Sequence, residues 1–180
     1  MNLEDYKRAL SSDSLTEATG ILIHMLAIEL HSGQKDKLGG PYILHVERVA
    51  GNFPNDSPEY LVALLHDTVE DTEITIDDLR YLGLPESVLE AVDAITHRIY
   101  EPLVEYYARI KCNPLATKVK LADIVDNLRA DRMQKLPKET QVRLTRKYRR
   151  ALKVLQDSPK AQISTWSKMT GFKLRGIARH

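Results

Sequence analysis

The chain has 180 residues, which is enough for one domain with a substantial hydrophobic core. Hydrophobic residues make up 43% of it and charged residues 28%, as in an ordinary soluble globular protein, and the formal net charge of +1 gives no indication of a nucleic-acid partner. The single cysteine, Cys112, excludes an internal disulfide and a zinc site built on cysteines.

The first residues and the most apolar segment indicate where in the cell the protein is found. Residues 1–5 are polar and acidic, whereas a signal peptide begins basic and then becomes apolar. The apolar run 20–30 is interrupted by His24 and Glu29 and is too short to span a bilayer. We therefore expect a cytoplasmic protein with no membrane partner.

Helical periodicity dominates the chain, and the alternation typical of strands is nearly absent. A capping box at 14–17 opens the first long helix, and the glycine-rich loop 33–40 separates it from a second helix that begins near Tyr42. A third helix follows the cap at Ser57. Further helices are predicted over residues 75–81, 85–96, 102–111, 115–133 and 137–155. The pattern predicts an all-α helical bundle.

We expect residues 1–157 to form the functional domain and residues 158–180 to be a basic C-terminal extension of it. The extension mixes Ser, Thr, Gly and basic residues, which is typical of a short helix and a tail in which Trp166 packs. Residues 138–180 contain many Lys and Arg and few acids, so this part of the chain is a candidate for a local anion site.

The segment 64–72 carries the strongest chemical signal, because one imidazole and three carboxylates follow an apolar run there. On a continuous helix His66 shares a face with Glu70, and Asp67 shares one with Glu70 and Asp71. Carboxylates this close repel each other unless a cation lies among them. The segment therefore predicts a metal-dependent hydrolase. A solvated acidic helix end is the alternative, and the apolar run disfavours it.

Two further residues are candidates for completing a metal site. His31 ends the first long helix, where a histidine is more often a capping residue than a ligand. Asp123 lies within an apolar helix, and a buried carboxylate is costly unless it is paired or bound to metal. Asp126, in contrast, is expected to cap or to face solvent. Two His and two Asp form an N₂O₂ set that suits Mn, Fe, Zn, Co or Ni.

Four short motifs occur in order along residues 31–127. They are His31-x-Gly33-Gln34, Gly39-x-Pro41-Tyr42-Ile43-x-His45, His66-Asp67-x-x-Glu70-Asp71-Thr72 and Lys120-Leu121-Ala122-Asp123-x-x-x-Asn127. Together they resemble the hydrolase (HD) domain of RelA/SpoT-type alarmone enzymes, and especially the stand-alone small alarmone hydrolases. The resemblance extends from about residue 19 to residue 155.

The resemblance implies an all-helical hydrolase with one divalent metal ion, usually manganese. Such enzymes remove the 3′-diphosphate of (p)ppGpp as pyrophosphate and leave GDP or GTP. The metal ligands that it implies are His31, His66, Asp67 and Asp123. It also implies that Glu70 and Asp71 are the catalytic carboxylates, and that Asn127 contacts the nucleotide near its ribose and 3′-phosphate.

The base-recognition motif departs from the family pattern. The long enzymes usually have an Arg-Lys pair where this chain has Asp36 and Lys37, and a common Thr is replaced by Ala130. Lys37 remains a candidate contact for the base or a phosphate, but Asp36 cannot stack on a purine as a guanidinium can. An adenine alarmone, (p)ppApp, is therefore an alternative substrate to (p)ppGpp.

Other polar residues are candidates for smaller roles. His45 belongs to the family motif without being a ligand there, so we expect it to support the site or to pack in the core, and Tyr42 either lines the site or packs. Arg143, Lys147 and Arg150 are spaced along one helix and are candidates for holding the 5′-diphosphate. A solvated basic face is the alternative for these three.

Two other functions stay open. One is a different HD phosphohydrolase, such as a nucleotidase or a cyclic-nucleotide phosphodiesterase. The other is a non-catalytic regulator that binds nucleotide. The two alarmone-like motifs around His45 and Glu70 argue against the first, and the complete set of ligands and carboxylates argues against the second.

Overall fold

The computed structural model describes residues 2–10 and 16–156, and within them the chain forms eleven helices, which confirms the all-α prediction. The helices are α1 (Leu3–Ala9), α2 (Glu17–Leu30), α3 (Ile43–Ala50), α4 (Pro58–Leu65), α5 (Thr68–Asp71), α6 (Ile76–Tyr81), α7 (Glu86–Ile95), α8 (Leu103–Cys112), α9 (Pro114–Asn127), α10 (Ala130–Met133) and α11 (Lys138–Gln156). The expected extension 158–180, with Trp166, and residues 14–15 of the expected capping box lie outside the described residues.

Helix α4 is the centre of the bundle. All five residues from Leu61 to Leu65 are buried, and the helix packs against α2, α3, α7 and α9. Burial of one such leucine side chain stabilises the fold by about 1.5–3 kcal/mol. The cap is as predicted, since the Ser57 side chain accepts from the Tyr60 amide and Pro58 opens the first turn. The segment that follows α4 therefore begins inside the core.

The first two helices begin differently from the prediction. Helix α1 was not predicted, although Asn2 and Asp5 form a capping box at its start. Helix α2 begins at Glu17 with Thr16 as its cap, so the predicted capping box at 14–17 is wrong. Thr19 takes the place of the acidic residue and completes the box, because its hydroxyl can also accept from a backbone amide.

The predicted helix over 115–133 is interrupted. Helix α9 ends at Asn127, and Arg129 has an extended backbone, with φ −52° and ψ 134°, before α10 begins. The Arg129 guanidinium pairs with Asp126 on one side of the break and with Asp131 on the other, at 3.3 and 2.6 Å. The break places these three side chains at the end of α9.

Close packing fixes α2 against the loop before α4. A Cβ atom at Gly20 would lie 2.2 Å from the carbonyl oxygen of Asn55, so only glycine permits this approach. In the described part of the chain, each helix is too short or too polar to cross a membrane.

Candidate functional site

The turn after α4 places His66 in the core. Its side chain is 1% exposed, and its Nδ1 donates to the carbonyl oxygen of Ala63 at 2.8 Å. Because a carbonyl oxygen only accepts, Nδ1 carries a proton in this bond. Nε2 has no hydrogen-bond partner in the described structure and lies 2.9 Å from Oδ2 of Asp67. A buried, unpartnered imidazole nitrogen beside a carboxylate is the donor arrangement of a metal ligand.

The predicted continuous helix through His66 and Glu70 is wrong, because α4 ends at Leu65 and α5 begins at Thr68. The Ala63 carbonyl is taken by the His66 ring, and the Leu65 carbonyl accepts from the Thr68 hydroxyl at 2.8 Å. Side chains thus replace two of the bonds that would continue the helix. The turn points Asp67 toward His66, while α5 carries the two exposed carboxylates.

His31 repeats the pattern of His66 at the end of α2. The side chain is buried, and Nδ1 lies 2.7 Å from Oε1 of Gln34, an acceptor that leaves Nε2 without a partner in the described residues. Gln34 in turn donates from Nε2 to the carbonyl oxygen of Asp71 at 2.9 Å. The loop after α2 is therefore connected to α5, and His31 is oriented by a residue that itself contacts the third motif.

The carboxylate of Asp67 is held by a donor at the start of α3, and that of Asp123 by a donor one turn earlier on α9. Asp67 accepts from the Tyr42 hydroxyl, and Lys120 pairs with Oδ2 of Asp123 at 2.8 Å. Burial alone would raise the pKa of Asp123, but the Lys120 ammonium holds it well below the usual range. Burial would likewise lower the pKa of His66, and Asp67 raises it above the ordinary value. Both carboxylates are ionised, and their field favours a cation between them.

His45 joins this cluster from α3. Its Nε2 lies 3.3 Å from Oδ1 of Asp123, and single ligand atoms of His45, His66 and Asp123 lie within 4.8 Å of one another. Its Nδ1 donates to Oδ2 of Asp126 at 2.7 Å. Burial lowers its pKa, but the bonds to the two carboxylates outweigh burial and raise it to about 9. Both ring nitrogens of His45 therefore face carboxylates, and Nδ1 is already engaged by Asp126, which suits a residue that supports the site.

Asp126 was expected to cap a helix or to face solvent, and this prediction is wrong. The residue is 5% exposed and accepts from His45 and from Arg48, whose Nε lies at 2.7 Å and whose Nη2 lies at 3.1 Å. The sequence shows only that Asp126 follows Asp123 by three residues on the same helix. Its partners come from α3, so the local pattern gave no sign of this ion pair.

Glu70 and Asp71 face the solvent side of the site. Glu70 Oε2 accepts from the backbone amide of His97 at 3.0 Å, so the connection between α7 and α8 orients this carboxylate. Burial, together with the charges of Asp67 and Glu70, raises the pKa of Asp71 above its ordinary value. His97 was not predicted as part of the site, and no side-chain pattern could predict it because the contact uses its backbone.

A cavity of about 510 Å³ joins the carboxylates to His45, whereas His31 lines a neighbouring pocket and His66 lines neither. The acidic end of the cavity contains Asp67, Glu70, Asp71 and Asp123, and its basic side contains Lys35, Lys37, Lys120, Arg132 and Lys147. Burial lowers the pKa of Lys37, and the charges of Arg143, Lys147 and Arg132 lower it further. These cations therefore lie near one another, and an anion among them would relieve their repulsion.

The remaining predicted contacts fall in three places. Asn127 lines the cavity and donates from Nδ2 to Oδ1 of Asp123 at 2.5 Å. Arg143 and Arg150 do not line the cavity but a neighbouring groove, which Lys147 shares. Asp36 lines the cavity, and its Oδ1 accepts from the backbone amides of Leu38 and Gly40 at 2.8 and 3.0 Å, so its carboxylate folds the loop after α2.

Two named bacterial proteins are similar to this chain. A GTP pyrophosphokinase from Streptomyces coelicolor is 32% identical over 128 residues, which are 64% of this chain and 15% of that protein. A guanosine-3′,5′-bis(diphosphate) 3′-pyrophosphohydrolase from Aquifex aeolicus is 31% identical over 131 residues, which are 63% of this chain and 19% of that protein. The chain thus spans less than a fifth of the length of either relative.

The fold is shared with a solved structure. A metazoan orthologue of SpoT that hydrolyses ppGpp superposes with a TM-score of 0.65 at 23% sequence identity, covering 88% of this chain and 96% of that chain. No family model matches the chain. The fold and the bacterial relatives point to the same family that the four motifs resemble.

Proposed function

Because the chain contains an HD hydrolase domain of the RelA/SpoT family, we propose that it is a metal-dependent 3′-pyrophosphohydrolase of guanosine or adenosine alarmones. One observation carries the proposal. Two buried histidines, His31 and His66, each have Nδ1 beside an acceptor and Nε2 without a partner among the described residues, and Nε2 of His66 lies 2.9 Å from the Asp67 carboxylate.

The proposed metal ligands are His31, His66, Asp67 and Asp123. The donor set fits a divalent ion, because two imidazole nitrogens and two carboxylate oxygens without a thiolate suit Mn²⁺. When bound, such an ion polarises a phosphoryl oxygen and lowers the pKa of a water molecule. His45 is the other candidate ligand within reach, and its two carboxylate partners favour the supporting role.

Glu70 and Asp71 are the proposed acid and base. Asp71 is the proposed proton-transfer group, and burial together with the charges of Asp67 and Glu70 raises its pKa above the ordinary value. For Glu70 the proposed role is to orient the attacking water, and the bond from the His97 amide, which fixes its carboxylate, supports this role. Attack on the 3′-diphosphate releases pyrophosphate and leaves the nucleoside 5′-di- or triphosphate with a free 3′-hydroxyl.

The basic side of the cavity is the proposed site for the nucleotide. Lys37 and Lys147, which line the cavity, are the proposed contacts of the 5′-phosphates, and Arg143 in the adjacent groove is proposed to reinforce them. Asn127 lines the same cavity next to Asp123, and we propose that it contacts the ribose of the nucleotide. Asp36 offers no stacking guanidinium, so we propose that adenine alarmones are accepted at least comparably to guanine ones.

We also propose the domain bounds and the cellular location of the protein. Residues 1–157 form the hydrolase domain, with residues 158–180 as its basic extension, and the protein acts in the cytoplasm, where nucleotide substrates are found. A stable fragment that ends near residue 157 after limited proteolysis, together with cell fractionation, would support these two statements.

The direct test is turnover by metal-free protein that is reconstituted with single metals. We expect ppGpp and ppApp to yield pyrophosphate and a nucleoside 5′-diphosphate, with Mn²⁺ the most active ion. Release of orthophosphate from 5′-nucleotides, or opening of cyclic nucleotides, would indicate a different phosphohydrolase. Tight nucleotide binding without any product would indicate a non-catalytic regulator.

A matched pair of variants tests the ligand assignment. His66→Ala should lose both the bound metal and the activity, because it removes a buried nitrogen that faces Asp67. His24→Ala is the control, since His24 is a histidine that pairs with Glu47 away from the site. Stoichiometric metal in the His66 variant, measured by mass spectrometry of the metal content, would contradict the assignment.

A further inference from the structure

A second concave surface lies beside the catalytic cavity. It is a groove of about 780 Å³ between α8 and α11, and it shares Leu103, Tyr107 and Lys147 with the cavity. Its volume falls within the range of small-molecule sites, about 300–1,000 Å³. We call it the α8–α11 groove.

The floor of the α8–α11 groove is apolar and open to solvent. Leu103, Val104 and Val142 are 49%, 69% and 59% exposed, and Tyr107 and Val154 complete the floor. Apolar side chains grouped in a concavity mark a binding surface more strongly than the same residues scattered singly over a surface. The floor therefore offers a place for a flat, weakly polar group such as a nucleobase.

Cations surround this floor. Lys138, Arg143, Arg146, Lys147 and Arg150 line the groove, against a single carboxylate, Glu139. Within the described residues none of these five forms an ion pair with a carboxylate, although Arg80, Arg98 and Arg109 elsewhere do. They extend over 12 residues of α11, which is about 18 Å at the helical rise per residue. Several cationic side chains close together with little opposing charge are typical of a site that binds phosphate groups.

We propose that the α8–α11 groove is a second ligand site, which binds a nucleoside di- or triphosphate with its base on the apolar floor and its phosphates on Arg146 and Arg150. The site adjoins the proposed active site, with Lys147 on both surfaces, but Arg146 and Arg150 line the groove and not the catalytic cavity. Lys147 lies on both surfaces, so phosphates in the groove draw its ammonium away from the cavity.

Binding to metal-free protein, measured by isothermal titration calorimetry, tests the proposal without turnover. The probes are GDP and ADP, with pyrophosphate and guanosine as the two halves of the ligand. We expect wild-type protein to bind GDP or ADP in the groove, and Arg146→Glu/Arg150→Glu to weaken this binding by roughly tenfold or more for each lost charge-assisted contact. The difference between GDP and ADP reports which base the floor prefers.

The matched control is Arg149→Glu/Lys153→Glu. It makes the same change of charge on the same helix, at two exposed residues that line neither surface. Equal weakening by both double variants would show only a general electrostatic attraction and would overturn the proposal. Pyrophosphate that binds as tightly as GDP, or Val142→Asp without effect, would overturn the role of the apolar floor. Absence of nucleotide binding that depends on Arg146 and Arg150 would overturn the site itself.

Discussion

Replacement of Asp126 by asparagine should destabilise the fold strongly. The amide keeps the shape of the side chain but removes the charge that balances His45 and Arg48 in the core. Each buried charge-assisted hydrogen bond contributes about 1.5–3 kcal/mol, and the bond to Arg48 is discounted because that side chain is partly exposed. We therefore expect a loss of about 3 kcal/mol in the free energy of unfolding, or roughly 6–12 °C in Tm for a domain of this size.

The effect of Asp126→Asn on stability should also depend on pH, which gives a second measurement of the same ion pair. Burial raises the pKa of Asp126, but the bonds from His45 and Arg48 outweigh it and hold the pKa well below its usual range. A carboxylate with a depressed pKa stabilises the fold fully above its unfolded value, about 3.9, and this contribution is lost as the pH falls through the folded value. The difference between wild type and Asp126→Asn should therefore shrink as the pH falls below about 4.

Urea denaturation of metal-free protein is the appropriate assay, because bound metal would add its own stabilisation. Asp131→Asn is the control, since that carboxylate pairs with Arg129 at the surface. We expect the control to unfold at the same urea concentration as wild type, because an exposed ion pair contributes little. If Asp126→Asn matched the control, the ion pair would contribute nothing measurable and the reasoning would be refuted.

Three other substitutions have defined outcomes. Glu70→Gln should keep metal and nucleotide binding while kcat falls by roughly 10²-fold or more; a near-normal kcat would assign the water-activating role to Asp71. Gly20→Ala should lower the free energy of unfolding by about 1–3 kcal/mol, because its Cβ would clash with the Asn55 carbonyl oxygen. An unchanged denaturation curve would mean that α2 can shift enough to accept the methyl group without cost. Asp36→Arg should shift the ratio of kcat/KM for ppGpp over ppApp about tenfold toward ppGpp. Asp36→Ala, which loses the loop bonds without adding a cation, should leave that ratio unchanged.

The fold was predictable where its signals are local. Helical periodicity and the cap at Ser57 gave α4 and its position in the core, because both depend on residues a few positions apart. The breaks after Leu65 and Asn127 were not predicted. Each depends on side chains that take over backbone bonds or pair across the break, and helical propensity carries no information about such contacts.

In the candidate site, too, features that depend on nearby residues were predictable and features that depend on distant residues were not. The motifs that hold His66 and Asp123 could be read from short spacings, and the structure brings these two residues into one cluster with His45. The role of Asp126 could not, since its bond to His45 joins residues 81 positions apart in the chain. A buried aspartate in such a helix looks the same in the sequence whether it faces an ion, a histidine or water.

The bond from the His97 amide to Glu70 has a consequence for how this protein can change over generations. The donor belongs to the main chain, so almost any amino acid at position 97 preserves it, and only proline removes it. The bond to Glu70 therefore constrains position 97 only against proline, whereas the His97 ring has a separate contact with the Glu101 carbonyl. Insertions or deletions between α7 and α8, which leave every predicted site residue intact, are the changes that would alter the bond to Glu70.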